Sequence, residues 1–135
     1  MSDDIRVILI KIADRLHNMR TLGSMLPNKQ YKIAGETLYI YAPLANRLGL
    51  YKIKTELENL SFKYEHPEKY KEIEKKLSAT ASEREKVFAD FTAPIRERLD
   101  KMGLKYRILA RVKSIYSIWN KMQTKHVPFE EVYDL

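Results

Sequence analysis

Apolar residues recur at every third or fourth position along most of this chain, which is the pattern of amphipathic helices. The first such stretch covers residues 4–22. Ser2, Asp3 and Asp4 suit its start, because short polar side chains cap the free N–H groups of a helix. The β-branched residues here would also permit a strand, but the longer helical period decides for a helix. Residues 7–10 are apolar on every side of it, so we expect a buried helix.

Further helices are predicted up to Gly103, separated by proline, glycine and short polar turns. Their apolar stripes cover residues 31–48, 50–64, 70–77 and 87–102. Pro43 and Pro94 lie inside two of these stripes. Each predicts a kink or an interruption, because proline lacks the N–H and its ring clashes with the preceding turn.

The period changes after Gly103. Residues 104–110 alternate between apolar and mostly basic side chains, which predicts a strand with one solvent-facing side. A helix resumes at Ser114, and residues 129–135 look like the approach to a second strand. One strand and part of another do not form a sheet, so we expect the rest of the sheet beyond Leu135. The predicted fold is mainly α: a helical bundle, then a short β element that begins a truncated α+β domain.

Composition narrows the class of protein. A chain of 135 residues has the size of one ordinary domain, and its 32% charged residues and four glycines are typical of helical proteins. It contains no Cys, which excludes disulfides and thiolate metal sites and fits a reducing compartment. The first 14 residues do not form a signal peptide, and no apolar run approaches the roughly 20 residues of a membrane span. We therefore expect a cytoplasmic chain without a membrane partner.

The charge indicates the kind of partner. The chain has 25 basic and 18 acidic residues, a net charge of +7, which favours anionic molecules. Nucleotides, nucleic acid and the surface of a ribosome all qualify, and charge alone does not choose between them.

Four polar residues form a line on the first predicted helix. Lys11, Asp14, Asn18 and Thr21 are separated by three, four and three positions, so they share one side of it. Spacing alone favours a line that simply faces solvent. The alternative is a polar site, because polar groups on a buried helix need partners.

Residues 11–22, KIADRLHNMRTL, resemble a segment of the hydrolase domain of RelA/SpoT homologues. These enzymes make and degrade the guanosine 3′-pyrophosphate alarmones, and their hydrolase belongs to the HD phosphohydrolase group. The resemblance implies that Asp14 is the last ligand of a Mn²⁺ site and that Asn18, and more weakly Thr21, line the guanine pocket. The adjacent His–Asp pair of the HD group is missing from this sequence, and His17 is interpreted as structural. We therefore expect no bound metal and no hydrolase activity in this chain.

A second polar group surrounds the helix that starts at Ser114. Arg111, Lys113, Ser117 and Lys121 could converge on a polyphosphate at the helix N-terminus. The charge pattern alone favours a solvated basic face instead.

Residues 110–122, ARVKSIYSIWNKM, resemble the start of the family's nucleotidyltransferase-like synthetase domain, although Ala110 stands where Gly is usual. That domain transfers pyrophosphate from ATP to the 3′-hydroxyl of GDP or GTP. The resemblance implies that Arg111, Lys113, Lys121 and, more weakly, Ser117 bind the ATP phosphates. The terminal FEEVYDL resembles the strand that carries a Mg²⁺-binding Asp, which makes Asp134 a candidate ligand.

The residues between these motifs resemble the family's helical connector, with Asn46 where many members have His. The expected organisation is the end of an HD hydrolase domain at 1–28, connector helices at 29–102 and the start of the synthetase domain at 103–135. We interpret the chain as an internal fragment that is inactive alone, with Met1 as a cloning start. The parent would act on GTP, GDP, ATP and ppGpp, and would contact a ribosome through regulatory regions that are absent here. Truncation would expose apolar surface, so a dimer of the fragment is a further expectation.

An alternative function belongs to another class. A basic helical module could bind nucleic acid or a ribosome through its charge. The sequence lacks a recognised motif or an aromatic stacking platform for that role, so salt-dependent RNA binding is the observation that would support it.

Overall fold

The computed structural model describes residues 4–132, and within that range the fold is mainly helical, as predicted. The α-helices are α1 (Ile5–Arg20), α2 (Pro27–Glu36), α3 (Ala42–Arg47), α4 (Tyr51–Glu65), α5 (Pro67–Ala79), α6 (Ala81–Lys101), α7 (Ile115–Lys125) and α8 (Phe129–Val132). A 3₁₀ turn, Leu22–Ser24, follows α1, and a π-helical segment, Thr37–Tyr41, lies between α2 and α3. No helix in the described part of the chain is long and apolar enough to cross a membrane.

The β element predicted after Gly103 is not formed within residues 4–132. Residues 104–113 have no regular secondary structure, because a strand needs a neighbour to bond its N–H and C=O groups. The predicted approach to a second strand was wrong over Phe129–Val132, which is α8. Pro128 precedes this helix, and Glu130 and Glu131 lie in its first turn, where proline and acidic side chains favour a helix start. The remaining residues of that prediction lie outside the described range.

The chain divides into two compact units, Met1–Lys71 and Glu72–Leu135. In the first unit, α1 to α4 surround one apolar core. Its fully buried members are Ile12, Met19, Leu22, Ala34, Ala42, Ala45 and Leu57. All of these except Leu22 and Ala42 belong to the predicted apolar stripes, so the stripe of α1 that contains Ile12 and Met19 is the side that faces the core.

Helix α1 is not buried on every side, in contrast to the prediction. Its start is as predicted, since the side chain of Asp4 accepts a hydrogen bond from the Arg6 N–H. Val7 and Ile10 are exposed, however, and 65% of the Ile10 surface is accessible. A run of four apolar residues places side chains all around a helix, whereas this unit supplies packing partners to one side only.

Pro43 disturbs the second predicted helix, as expected, but does not end it. The backbone stays helical from α2 through the π-helical segment into α3, and the Ala42 N–H bonds the Thr37 carbonyl five residues back. The buried Thr37 hydroxyl donates to the Ile33 carbonyl at 2.7 Å, which satisfies it inside the core. Gly49 has a φ of 74° and ends α3, as predicted. Pro94 does not interrupt α6, which continues through it.

The second unit has a smaller buried set. Its fully or nearly buried apolar residues are Ile73, Leu77, Ile118, Phe129 and Val132. Lys76 joins α5 to α8, because its Nζ lies 3.8 Å from Glu130 Oε1 and 5.4 Å from the centre of the Phe129 ring. Helix α7 packs on α8.

Candidate functional site

The four residues of the predicted hydrolase line are all exposed. Lys11, Asp14 and Asn18 on α1, and Thr21 directly after it, lie away from the buried Ile12 and Met19. The helical spacing therefore does bring them together on one accessible face. That arrangement suits a site whose other half comes from elsewhere, and it equally suits a solvated face.

Thr21 has a structural role at the end of α1. Its Oγ1 donates to the His17 carbonyl at 3.1 Å, and its N–H bonds the same carbonyl at 3.2 Å. These contacts satisfy a carbonyl of the last helical turn. The hydroxyl oxygen of Thr21 can still accept a hydrogen bond from a ligand.

Two arginines that the sequence analysis did not single out hold α1 in place. The half-buried Arg15 guanidinium lies 4.3 Å from the centre of the Tyr41 ring, and its Nη2 lies 3.4 Å from Glu36 Oε2. Arg20 forms two hydrogen bonds, of 2.8 and 2.9 Å, to the Glu56 carboxylate. These contacts agree with the rotation of α1 that the buried Ile12 and Met19 define, which leaves Asp14 on the outward face. No local sequence pattern reports them, because each joins residues more than 20 positions apart.

The described residues do not by themselves fit a Mn²⁺ ion. Within residues 4–132 no group of three or more His, Cys, Asp or Glu side chains could hold a metal. Asp14 is a single carboxylate, whereas such an ion takes several oxygen and nitrogen ligands. A metal at Asp14 therefore needs ligands from outside this range.

The predicted phosphate-binding residues surround the start of α7. Arg111 and Lys113 are exposed in the irregular segment before it, and Ser117 and Lys121 are exposed on the helix. The Ser114 Oγ accepts the Ser117 N–H at 3.2 Å, which caps the helix. The cap leaves other N–H groups of the first turn available to an anion.

Lys113 connects this group to the end of the described chain. Its Nζ donates to the Val132 carbonyl at 3.3 Å, a contact that joins the segment before α7 to α8. The candidate Mg²⁺ ligand, Asp134, lies outside the described residues. The sequence pattern gave no signal for the Lys113 contact, since it depends on the fold.

Comparisons with known proteins cover the whole chain. The model of the HD domain family matches residues 1–51. A GTP pyrophosphokinase of Myxococcus xanthus is 50% identical over all 135 residues, which are 18% of its own length. A guanosine-3′,5′-bis(diphosphate) 3′-pyrophosphohydrolase of Vibrio cholerae and the bifunctional (p)ppGpp synthase/hydrolase SpoT of Escherichia coli K12 are each 47% identical over 135 residues, 19% of their lengths. The chain thus spans about a fifth of the length of these relatives. Over its full length the chain is similar to these proteins, in line with the resemblance of its motifs.

Proposed function

We propose that this chain is part of an enzyme of guanosine tetra- and pentaphosphate metabolism, the nucleotide signal of the stringent response. The whole enzyme would transfer pyrophosphate from ATP to the 3′-hydroxyl of GDP or GTP and would hydrolyse the 3′-pyrophosphate. The observation that carries this proposal is the 46–50% identity, over the whole chain, to proteins named for one or both activities.

For hydrolysis, the proposed metal- and guanine-binding residues lie on the outward face of α1. HD hydrolases depend on metal ions, and we assign Asp14 as one Mn²⁺ ligand of a site whose other ligands lie outside residues 4–132. Asn18 would pair with the guanine edge, since its amide both donates and accepts, and Thr21 would accept a hydrogen bond beside it. The exposure of all three side chains on one face supports this assignment.

For synthesis, the proposed ATP-binding residues lie around the start of α7. Arg111, Lys113 and Lys121, with Ser117, would bind the ATP phosphates, because phosphoryl-type transfer relies on a cationic clamp. Asp134 would be a Mg²⁺ ligand. The Lys113 contact with Val132, two residues before Asp134, supports placing both in one site.

The organisation proposed for the whole protein is that of the sequence analysis. Residues 1–28 end the hydrolase domain, 29–102 connect, and 103–135 begin an α+β synthetase domain in which residues 104–110 find a partner strand. Contacts with a ribosome through other regions, and association of this chain with itself, stay predictions. On its own, the 135-residue chain should convert neither ATP plus GDP to alarmone nor alarmone to GDP. Detection of either reaction would show that the site is complete.

A chimera tests the proposal. The aligned segment of the Myxococcus xanthus GTP pyrophosphokinase is replaced by this chain, and synthesis and any hydrolysis are measured separately with labelled nucleotides. The chimera should keep each activity that the parent shows. Lys113→Ala should abolish synthesis, whereas Lys125→Ala, in the last turn of α7, should leave it within about twofold. An inactive chimera that folds like the parent would contradict the proposal.

The hydrolase half requires a bifunctional host, so the same exchange is made in the Escherichia coli relative. Asp14→Asn should abolish hydrolysis and leave synthesis intact. Asp90→Asn removes an equal charge from the exposed side of α6 and should change neither. Loss of both activities in Asp14→Asn alone would assign that residue to folding.

A further inference from the structure

The net charge of the chain is concentrated in one stretch. Residues 96–125 contain nine basic and two acidic residues, a net charge of +7, whereas the other 105 residues contain 16 of each sign. All nine basic side chains are exposed. The stretch comprises the end of α6, the irregular segment 104–113 and α7, all in the second unit. The excess charge is thus a local surface feature that attracts polyanions.

The two acidic residues of this stretch already have partners. Glu97 Oε1 lies 3.2 Å from Lys101 Nζ, one turn away on α6. Hydrogen bonding to Asp100 raises the pKa of Tyr106 above its usual value. Among residues 4–132, Lys101 is the only one of the nine cations within ion-pairing distance of a carboxylate. Apart from Lys113, whose Nζ donates to the Val132 carbonyl, the other cations are therefore available to an external anion.

The irregular segment arranges its side chains in an alternating order. Tyr106 and Ile108 are half-buried, whereas Lys105, Arg107 and Leu109 are exposed. In an extended chain, residues two apart lie about 6.5 Å apart on one side, which is close to the spacing of successive phosphates along a nucleic acid strand. Lys105 and Arg107 can therefore contact neighbouring phosphates of one strand.

Exposed apolar side chains lie between these cations. Leu104, Leu109 and Val112 are exposed, with 72% of Leu109 accessible. Such side chains can contact the faces of unpaired bases, which a duplex hides in its stack. The combination of cations and apolar side chains favours a single strand over a duplex.

Because exposed cations and exposed apolar side chains lie together here, we propose that residues 96–125 form a binding surface for single-stranded nucleic acid. Lys105 and Arg107 lie at its centre. Its centre lies outside the proposed ATP-phosphate group of Arg111, Lys113 and Lys121, which falls within the same stretch. Tyr116 and Trp119 are half-buried and face each other at 6.4 Å between ring centres. Phosphate contacts therefore dominate the binding, which tolerates many sequences and weakens with salt.

The test measures fluorescence anisotropy of labelled oligouridylate and oligothymidylate, each about 20 nucleotides long, with the full 135-residue chain between about 50 and 200 mM KCl. Lys105→Gln/Arg107→Gln should weaken binding on the order of tenfold at the lowest salt. Each lost phosphate contact should also reduce the slope of log K against log salt by about 0.7. The matched control is Lys29→Gln/Lys32→Gln, which removes two exposed cations from α2 and should leave affinity and slope within twofold. Circular dichroism checks that both variants fold like the parent chain.

Comparison of the two oligomers, a duplex and ATP shows which ligand the surface prefers. Equal affinity for both oligomers assigns the surface to single strands in general, and preference for oligouridylate assigns it to RNA. Tighter binding of a duplex of equal charge would overturn the proposal. So would an equal loss in the α2 control, unchanged binding by the Lys105/Arg107 variant, or complete displacement by ATP, which would place the strand in the nucleotide site.

Discussion

Helices α1 and α6 are both long and amphipathic, yet they bury very different amounts of apolar surface. Helix α1, Ile5–Arg20, contributes Ile12 and Met19 to the core of the first unit. Helix α6, Ala81–Lys101, buries only Thr92, while 71% of Phe91 is accessible. Amphipathic spacing thus gives a helix a preferred face, but the neighbours decide whether that face is covered.

The two units are also expected to differ in stability. The first has a single core shared by four helices, whereas the buried residues of the second are fewer and lie mainly on α5, α7 and α8. Because burial of apolar surface is the main favourable term in folding, we expect the first unit to be the more stable. The single Trp of the chain, Trp119, lies in the second unit. Its fluorescence therefore reports on that unit, while far-ultraviolet circular dichroism reports on all helices.

The largest effect is expected from Leu57→Ala. Leu57 is fully buried in the first unit, and truncating such a side chain costs about 2–5 kcal/mol through lost burial and a cavity. Urea unfolding followed by circular dichroism should shift to lower urea, while the Trp119 fluorescence transition should stay in place. Leu109→Ala, at an exposed position, is the control and should move neither. Equal shifts of both signals would show that the two units unfold as one.

The second-largest loss of stability is expected when the Arg15 contacts between α1 and its neighbours are removed. Arg15→Gln removes the cation–π contact with Tyr41 and the ion pair with Glu36, and it should lower the free energy of unfolding by about 1–2 kcal/mol. Lys11→Gln, exposed on the same helix, should cost little. A double-mutant cycle with Tyr41→Leu should give a coupling of about 0.5–1 kcal/mol. Additive effects of the two changes would show that the ring contact contributes nothing.

A smaller change tests the second unit. Ile118→Val removes one methylene from a fully buried side chain of α7, which costs about 0.5–1.5 kcal/mol. Here the Trp119 fluorescence transition should move, whereas the part of the circular dichroism change that occurs outside that transition should not. Val112→Ala, at an exposed position before α7, is the control. If the fluorescence midpoint stays fixed, Ile118 does not stabilise the structure around Trp119.

How far the sequence could predict this molecule depends on whether a feature is local. Helical spacing placed Ile12 and Met19 on one face, and Pro43 marked the disturbance of a helix, because both effects act within a turn or two. The exposure of Ile10 and the contact between Arg15 and Tyr41 depend on which neighbours the chain brings to each face, and no local pattern reports that.

The candidate sites show the same limit. Spacing alone left Asp14 and Asn18 as a solvent-facing line, and charge alone left Lys113 in a solvated basic face. The resemblance to a family supplied their roles, and the structure shows the two groups in separate units. The strand predicted at 104–110 is not formed within residues 4–132, because a strand needs a hydrogen-bonded partner, which a local alternation does not supply.

The smallest effect expected is a dependence of stability on pH in the first unit. Burial raises the pKa of the half-buried Glu58 carboxyl, and the nearby Lys54 opposes this shift only in part. The folded state therefore binds the proton of Glu58 more tightly than the unfolded state does. The resulting stabilisation is complete below the unfolded pKa and is lost as pH rises through the folded one.

Glu58→Gln removes this penalty, so at pH 7 it should raise the free energy of unfolding by up to about 0.5 kcal/mol, and near pH 3 it should change nothing. Glu74→Gln, at an exposed position in the middle of α5, should give the same small difference at both pH values. Urea midpoints from circular dichroism at the two pH values measure both variants. A stabilisation by Glu58→Gln that is equal at pH 3 and pH 7 would assign its effect to packing, because a neutral carboxyl and an amide differ little in charge.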